Sequence, residues 1–212
     1  MKLLLTSFGI TNESIAHAFD SLTSLDRNVV KIGFIPTASN VEEGNKNWFF
    51  EQIYDLKTHG YTWIDIIDFS AKDVDWQKRL NRCDVIYVSG GNTFHLLNQS
   101  KIHGFDIWLK NNIETKVYIG SSAGSILVTP TITIATVEPA DTNYANITDL
   151  SALTFVPFEI SPHSPEQLSF EVNENYAKTI SNKLYAIDDQ TAIKVINNNV
   201  EIITEGVWRE FI

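Results

Sequence analysis

Residues 117–125 read VYIGSSAGS, so that Ser122 has a glycine two positions before it and another two positions after it. The apolar residues before Gly120 are typical of a buried strand, and residues 125–128 can start a short helix. Small residues on both sides of the serine let the strand and the helix approach closely, and the sharp turn points the hydroxyl out of the sheet. We therefore predict a nucleophile elbow with Ser122 as the nucleophile. The alternative is a glycine- and serine-rich turn that binds a phosphate or no ligand.

Apolar runs alternate with helical patterns through the first 125 residues. The predicted strands cover residues 3–8, 29–35, 61–69, 84–88 and 116–119, and the predicted helices cover 14–22, 47–56, 74–80, 107–113 and a segment that begins at 94. Such alternation predicts an α/β fold with a doubly wound, largely parallel sheet and helices on both faces.

The pattern changes after Ser125. We predict strands over 131–136 and 155–160, and a helix over 172–180. Apolar residues at 192–196 and 200–204 flank three asparagines, which predicts a C-terminal antiparallel hairpin with an asparagine turn.

Length and composition narrow the class of protein. A chain of 212 residues is long enough for one sizeable core, so we expect a single domain over residues 1–212. A net charge of −10 disfavours nucleic acid as a partner. Cys83 is the one cysteine, and no stretch has the length of a signal sequence core or a membrane span. We expect a cytoplasmic protein that does not bind membranes.

A second strand runs into glycines at Gly90-Gly91, followed by Asn92 and Thr93. Paired glycines expose backbone N–H groups, and the carboxyl ends of parallel strands are where sites form. We predict that Gly91 and Ala123 donate the two N–H groups of an oxyanion hole. Asn92 and Thr93 are further candidates to bind substrate, and the alternative is an ordinary turn in which they cap the next helix.

A serine nucleophile needs a base and an acid that orients the base. Among the five histidines, His163 follows an apolar strand in a Ser-Pro-His turn that can hold an imidazole at the sheet edge. The alternative is a histidine in an ordinary loop, and His95 is a second candidate close to Gly91. The sequence leaves the acid open among six residues: Glu138, Asp141, Glu159, Glu166, Asp188 and Asp189.

Three motifs together resemble peptidase E. They are Gly-Gly-Asn-Thr at 90–93, Gly-Ser-Ser-Ala-Gly at 120–124 and Phe-Glu-Ile-Ser-Pro-His at 158–163. The peptidase E proteins are aspartyl dipeptidases, serine peptidases related in fold to class I glutamine amidotransferases and to cyanophycinase. The resemblance covers most of the chain and implies a three-layer α/β/α fold of that kind.

The resemblance also implies roles for individual residues. Ser122 is the implied nucleophile and His163 the implied base, with Gly91 and Ala123 as oxyanion donors. The family places an acid, usually a glutamate, on a late loop, where this chain has Asp189 as the best match and Asp188 as the second. The family binds the substrate aspartate through an arginine downstream of the histidine, and here no arginine follows His163 before Arg209, so strict aspartyl specificity is not expected.

The sequence-based hypothesis is a serine peptidase that hydrolyses small peptides through an acyl-enzyme, as a monomer or homodimer. Two alternatives remain: an amide hydrolase on another substrate, as in cyanophycinase, and a catalytically silent binding protein of the same fold. The sequence has no metal-binding motif and no dinucleotide fingerprint, so we predict neither metal nor cofactor.

Overall fold

The computed structural model describes all 212 residues and contains two sheets. The larger sheet has seven strands in the order β3-β2-β4-β5-β1-β8-β9. Its strands are β1 (Lys2–Thr6), β2 (Lys31–Ile35), β3 (Trp63–Ile66), β4 (Val85–Val88), β5 (Val117–Ser121), β8 (Thr191–Ile196) and β9 (Asn199–Thr204). The first five are parallel, and β8 and β9 form an antiparallel hairpin against β1. The predicted sheet and hairpin are confirmed.

Helices cover both faces of the larger sheet. They are α1 (Glu13–Thr23), α2 (Asn47–Thr58), α3 (Trp76–Asn81), α4 (Thr93–His103), α5 (Phe105–Asn112), α6 (Ala123–Ile126) and α7 (Phe170–Ala177). Side chains of α1 and α2 share one core cluster, whereas those of α3 to α7 belong to the other. Alternation along β1 separates the two clusters, because Leu3 and Leu5 face one and Leu4 the other. The predicted three-layer arrangement, with helices on both faces of the sheet, is confirmed.

A smaller, three-stranded sheet has the order β10-β7-β6. Strand β6 (Phe158–Ser161) runs parallel to β7 (Lys183–Ile187), and β10 (Trp208–Phe211) pairs antiparallel with β7. Apolar side chains of β6 and β7, such as Ile160 and Leu184, are buried in the same core cluster as Leu3 and Leu5 of β1. The two sheets therefore share one hydrophobic core.

One prediction between residues 126 and 160 is wrong, and another is correct only in part. The predicted strand over 131–136 is a 3-10 helix at Thr133–Thr136, and only Thr131 forms a β-bridge, to Ser151. The predicted strand over 155–160 begins at Phe158 instead. β-branched residues favour strands, but no neighbouring strand is available to complete a ladder with residues 131–136.

No helix of the structure combines the length and the apolar character that a membrane crossing requires.

Candidate active site

The turn after β5 gives Ser122 a strained backbone. Its φ of 49° and ψ of −112° lie in a region that serine rarely adopts. The Ser122 N–H donates to the carbonyl of Thr6 on the neighbouring strand β1 at 3.1 Å, which fixes the turn to the sheet. Helix α6 begins at the next residue, as a nucleophile elbow requires.

The glycines around the elbow are required by close packing. A side chain at Gly120 would lie 2.6 Å from the backbone carbon of Gly124, and one at Gly124 would overlap the carbonyl of Val88 on β4. Gly90 lies against the Ser122 side chain, since a Cβ added there would be 3.1 Å from the Ser122 Cβ. These contacts hold the two glycine turns side by side at the carboxyl ends of β4 and β5.

The structure brings His163 and Asp189 to Ser122. The Nε2 atom of His163 lies 3.0 Å from the Ser122 hydroxyl oxygen, and Nδ1 lies 2.7 Å from Oδ1 of Asp189. His163 follows β6 and Asp189 follows β7, so both partners come from the smaller sheet. The three side chains form the continuous hydrogen-bonded chain of a serine, an imidazole and a carboxylate.

The environment of Asp189 favours its ionised form. Partial burial raises the pKa of the carboxyl group, but the hydrogen bond to His163, the positive charge that His163 carries when it is protonated, and the hydrogen bond from Ser7 outweigh it, so the pKa lies below its ordinary value. An ionised carboxylate at Nδ1 favours the imidazole tautomer in which Nε2 can accept the serine proton.

Sequence reasoning missed Ser7, which contacts both partners of Ser122. Its hydroxyl donates to Oδ1 of Asp189 at 2.6 Å and accepts from the backbone N–H of His163 at 2.8 Å. Nothing near Ser7 in the sequence suggests this, because its partners lie 156 and 182 positions away.

The candidate oxyanion donors flank Ser122. Gly91 has φ of 128°, which other residues rarely adopt, and a Cβ there would lie 2.5 Å from the Ala38 carbonyl. Its N–H donates to no protein group. Ala123 is the first residue of α6, so its N–H has no intrahelical acceptor. Gly91 and Ser122 line the same pocket.

The two other candidates in this turn, Asn92 and Thr93, mainly stabilise the local structure. The side chain of Asn92 accepts from the N–H of His95 at 2.8 Å and donates to the Thr142 carbonyl at 3.0 Å, so it caps α4 and is 1% exposed. Thr93 lines a smaller pocket next to Ser122, and its N–H donates to Asp141 at 2.7 Å. The geometry favours the capping interpretation for Asn92, and Thr93 remains a candidate because it lines this smaller pocket.

Asp188, the alternative acid, points away from His163. Its carboxylate accepts hydrogen bonds from the N–H of Gln190, the hydroxyl of Thr191 and the N–H of Val207. Asp188 therefore ties the end of β7 to the segment before β10, and the structure favours Asp189.

None of the remaining candidates from the sequence forms a hydrogen bond with His163, whose side-chain partners are Ser7, Ser122 and Asp189. Glu159 is 1% exposed and bonded to Thr131, and burial raises the pKa of its carboxyl group. Glu138 and Glu166 are exposed. The Nε2 atom of His95 is buried with no hydrogen-bond partner, and burial lowers the pKa of this imidazole.

A pocket of about 300 Å³ opens over Ser122. It is lined by Phe8, Glu42, Trp48, Gln52, Gly90, Gly91, Ser121, Ser122, Asp141, His163 and Gln167. The lining includes two carboxylates and no arginine or lysine. Burial and repulsion from Asp141 raise the pKa of Glu42, against a weaker effect of a hydrogen bond from Asn92. Arg209 lies elsewhere, with its guanidinium 4.3 Å from the centre of the Phe170 ring.

Comparison with known proteins identifies the family. The model of peptidase family S51 matches residues 3–203. An uncharacterized peptidase of Pasteurella multocida is 31% identical over 198 residues, which cover 90% of this chain and 93% of that protein. An uncharacterized peptidase of Listeria monocytogenes is 31% identical over 180 residues, covering 82% and 85% of the two chains.

Solved structures agree with the family match. A protein from Listeria monocytogenes EGD-e, described as a candidate peptidase E, superposes with a TM-score of 0.81 at 27% identity, over 97% of this chain and 98% of that one. A peptidase from an acI-B1 actinobacterium shares the fold, with a TM-score of 0.59 at 16% identity, over 99% of this chain and 96% of that one. The chain belongs to peptidase family S51 and is a serine peptidase that acts on peptide bonds.

Proposed function

We propose that this peptidase hydrolyses short peptides, dipeptides among them, through a triad of Ser122, His163 and Asp189. The observation that carries the proposal is the continuous chain of contacts, 3.0 Å from Ser122 to His163 and 2.7 Å from His163 to Asp189. Both distances are those of good hydrogen bonds, which supports proton transfer from Ser122 to His163 in this arrangement. This arrangement disfavours the alternative of a catalytically silent protein of the same fold.

The reaction follows from the positions of the groups. The Ser122 hydroxyl attacks the peptide carbonyl while Nε2 of His163 takes its proton, and the Asp189 carboxylate stabilises the imidazolium. The N–H groups of Gly91 and Ala123 stabilise the oxyanion of the tetrahedral intermediate. His163 then protonates the leaving amine, and water hydrolyses the acyl-enzyme by the same path in reverse order.

The pocket supports small substrates. A volume of about 300 Å³ is at the lower end of the range for small-molecule sites, which run from about 300 to 1,000 Å³. Glu42 and Asp141 make the lining acidic, and no cationic side chain is present to bind a substrate aspartate. We therefore propose a dipeptidase-like activity that is not specific for N-terminal aspartate.

The test is a substrate panel combined with active-site labelling. Dipeptides, longer peptides and cyanophycin-like conjugates are incubated with the purified protein and its Ser122→Ala variant, and released amines are quantified. We expect cleavage of dipeptides and labelling of the parent protein, but not of the variant, by a fluorophosphonate probe. Hydrolysis of conjugates alone would favour the other amide hydrolases, and full peptidase activity in Ser122→Ala would refute the assignment of the nucleophile.

A further inference from the structure

Ser7 lies between the turn that carries Ser122 and the loops that carry His163 and Asp189. It directly follows β1, is fully buried, and precedes Phe8, whose ring makes an edge contact with the His163 ring at 6.3 Å between centroids. The preceding residue, Thr6, is aligned with Ser121 of β5 and accepts the N–H of Ser122 through its carbonyl. One end of one strand therefore contacts the nucleophile through its backbone and the base through its side chain.

The Ser7 hydroxyl uses its donor and an acceptor on different partners. It donates to Oδ1 of Asp189 at 2.6 Å and accepts from the backbone N–H of His163 at 2.8 Å. The same Oδ1 also contacts Nδ1 of His163 at 2.7 Å. Because the Asp189 oxygen contacts both the hydroxyl and the imidazole, the hydroxyl fixes the carboxylate where the imidazole needs it.

The backbone of His163 makes this contact more important. Its φ of 55° is in the left-handed region, which is strained for a residue with a Cβ. The hydrogen bond from its N–H to Ser7 helps to hold the residue there. A different backbone conformation would rotate the imidazole away from Ser122.

We propose that Ser7 is a positioning residue of the peptidase, which sets both the acid and the base relative to Ser122. The inference rests on the proposed triad. It differs from a packing role for a buried serine, because packing would require only the volume of the side chain and not a hydroxyl with these two partners. In metal sites, groups that orient a ligand through a hydrogen bond contribute about 10- to 100-fold to metal affinity or activity, and we expect an effect of this size on kcat here.

The experiment compares Ser7→Ala and Ser7→Cys with the parent protein. Cysteine keeps nearly the size of serine but is a weak donor. We expect both variants to lose about 10- to 100-fold in kcat, with KM within about twofold and the rate of fluorophosphonate labelling reduced in parallel. Ser7→Thr keeps the hydroxyl, so its kcat is expected to exceed that of Ser7→Ala. Ser100→Ala is the matched control, since Ser100 is fully buried, and its hydroxyl has no partner.

A double-mutant cycle separates positioning from packing. If Ser7 acts through Asp189, Ser7→Ala costs much less in an Asp189→Ala background than in the parent protein. The proposal is overturned if folded Ser7→Ala and Ser7→Cys keep at least half of the parent kcat, or if the two losses multiply independently. In that case, inactive Ser122→Ala and His163→Ala variants would still support the triad, whereas activity in Ser122→Ala would remove the triad itself.

Discussion

The proposed nucleophile and its two proposed partners come from different sheets, and their positions have different origins. Ser122 follows β5 in the middle of the seven-stranded sheet, and its geometry is set locally by the glycines at 120 and 124. His163 and Asp189 follow β6 and β7 of the three-stranded sheet; His163 lies 41 positions after Ser122, and Asp189 lies 26 positions after His163. The positions of the proposed base and acid therefore depend on how the two sheets pack, whereas the sequence pattern of the elbow lies within nine consecutive residues.

The largest expected effect tests whether the two sheets form one catalytic unit. Ser122→Ala and His163→Ala should each lower kcat by about 10⁴-fold or more, because neither group can transfer the proton without the other. For the same reason, the double variant should be no worse than either single variant. The measurement is kcat on the best dipeptide of the panel.

Thermal unfolding is the control for these three variants. The melting temperatures of the three variants should stay within a few degrees of the parent, since partly exposed polar groups are removed. If the double variant were far less active than both single variants, the two residues would contribute independently, and the proposed proton transfer from Ser122 to His163 would be wrong.

A smaller effect is expected for the acid. Asp189→Asn keeps the size of the side chain, but its amide can turn its NH₂ group towards Nδ1 and so favour the wrong imidazole tautomer. We expect kcat to fall about 10³- to 10⁴-fold, in line with the same change in other triads. The comparison is the pH-independent kcat of the variant against that of the parent protein.

Asp188→Asn is the matched control for the acid. Asp188 bonds to Thr191 and Val207 and not to His163, so its replacement should lower the melting temperature while kcat stays within about threefold. The reverse result, with Asp188→Asn inactive and Asp189→Asn active, would exchange the roles of the two aspartates.

The difference between local patterns and contacts remote in sequence also explains which features the sequence could predict. The parallel sheet, the elbow and the hairpin are local patterns; in the hairpin, for example, Asn197 and Asn198 adopt the positive φ angles that the asparagine turn predicted. The family resemblance proposed Asp189 ahead of Asp188, but only the fold shows that Asp188 faces Val207. Adjacent aspartates on a strand end point in different directions, and their partners are remote in sequence.

Ser7 and the segment at 131–136 show why the rest could not be predicted. A serine after a strand has no local feature that marks it, since its function depends on partners brought close by two sheets. Thr131 to Thr136 has the composition of a strand, but strand formation requires a partner, and this segment has only one bridge, to Ser151. Both cases depend on tertiary structure rather than local propensity.

A further prediction concerns the packing that shapes the elbow. In Gly124→Ala the new methyl group would overlap the Val88 carbonyl on β4, a backbone atom that cannot rotate away. We expect a loss of about 1–3 kcal/mol in the free energy of unfolding, together with lower activity because the turn that carries Ser122 must shift. Chemical denaturation measures the first and dipeptide hydrolysis the second.

Gly44→Ala is the control for this substitution. Gly44 has a φ of 80° but no atom within 4 Å of an added Cβ, so only backbone strain is introduced. The expected cost is about 1 kcal/mol with unchanged kcat. If Gly124→Ala were no more harmful than this control, close packing between β4 and the elbow would not be what the glycine is needed for.

The smallest expected effect concerns the charge of the pocket. Glu42 and Asp141 repel an anionic substrate, so kcat/KM for aspartyl dipeptides should lie below that for alanyl dipeptides. Glu42→Gln should narrow this gap by about tenfold or less and leave alanyl dipeptides nearly unaffected, because one charge in a partly solvated pocket contributes on the order of 1 kcal/mol.

The pH dependence of the same ratio adds a second test of Glu42. Burial and the charge of Asp141 raise the pKa of Glu42, so it gains a proton before the substrate aspartate does as the pH falls. Discrimination against aspartyl dipeptides should therefore weaken with falling pH in the parent protein and much less in Glu42→Gln. The ratio of the two kcat/KM values cancels the common titration of the base. A preference for aspartyl dipeptides, or a ratio that does not change with pH in the parent protein, would mean that Glu42 does not face the substrate side chain.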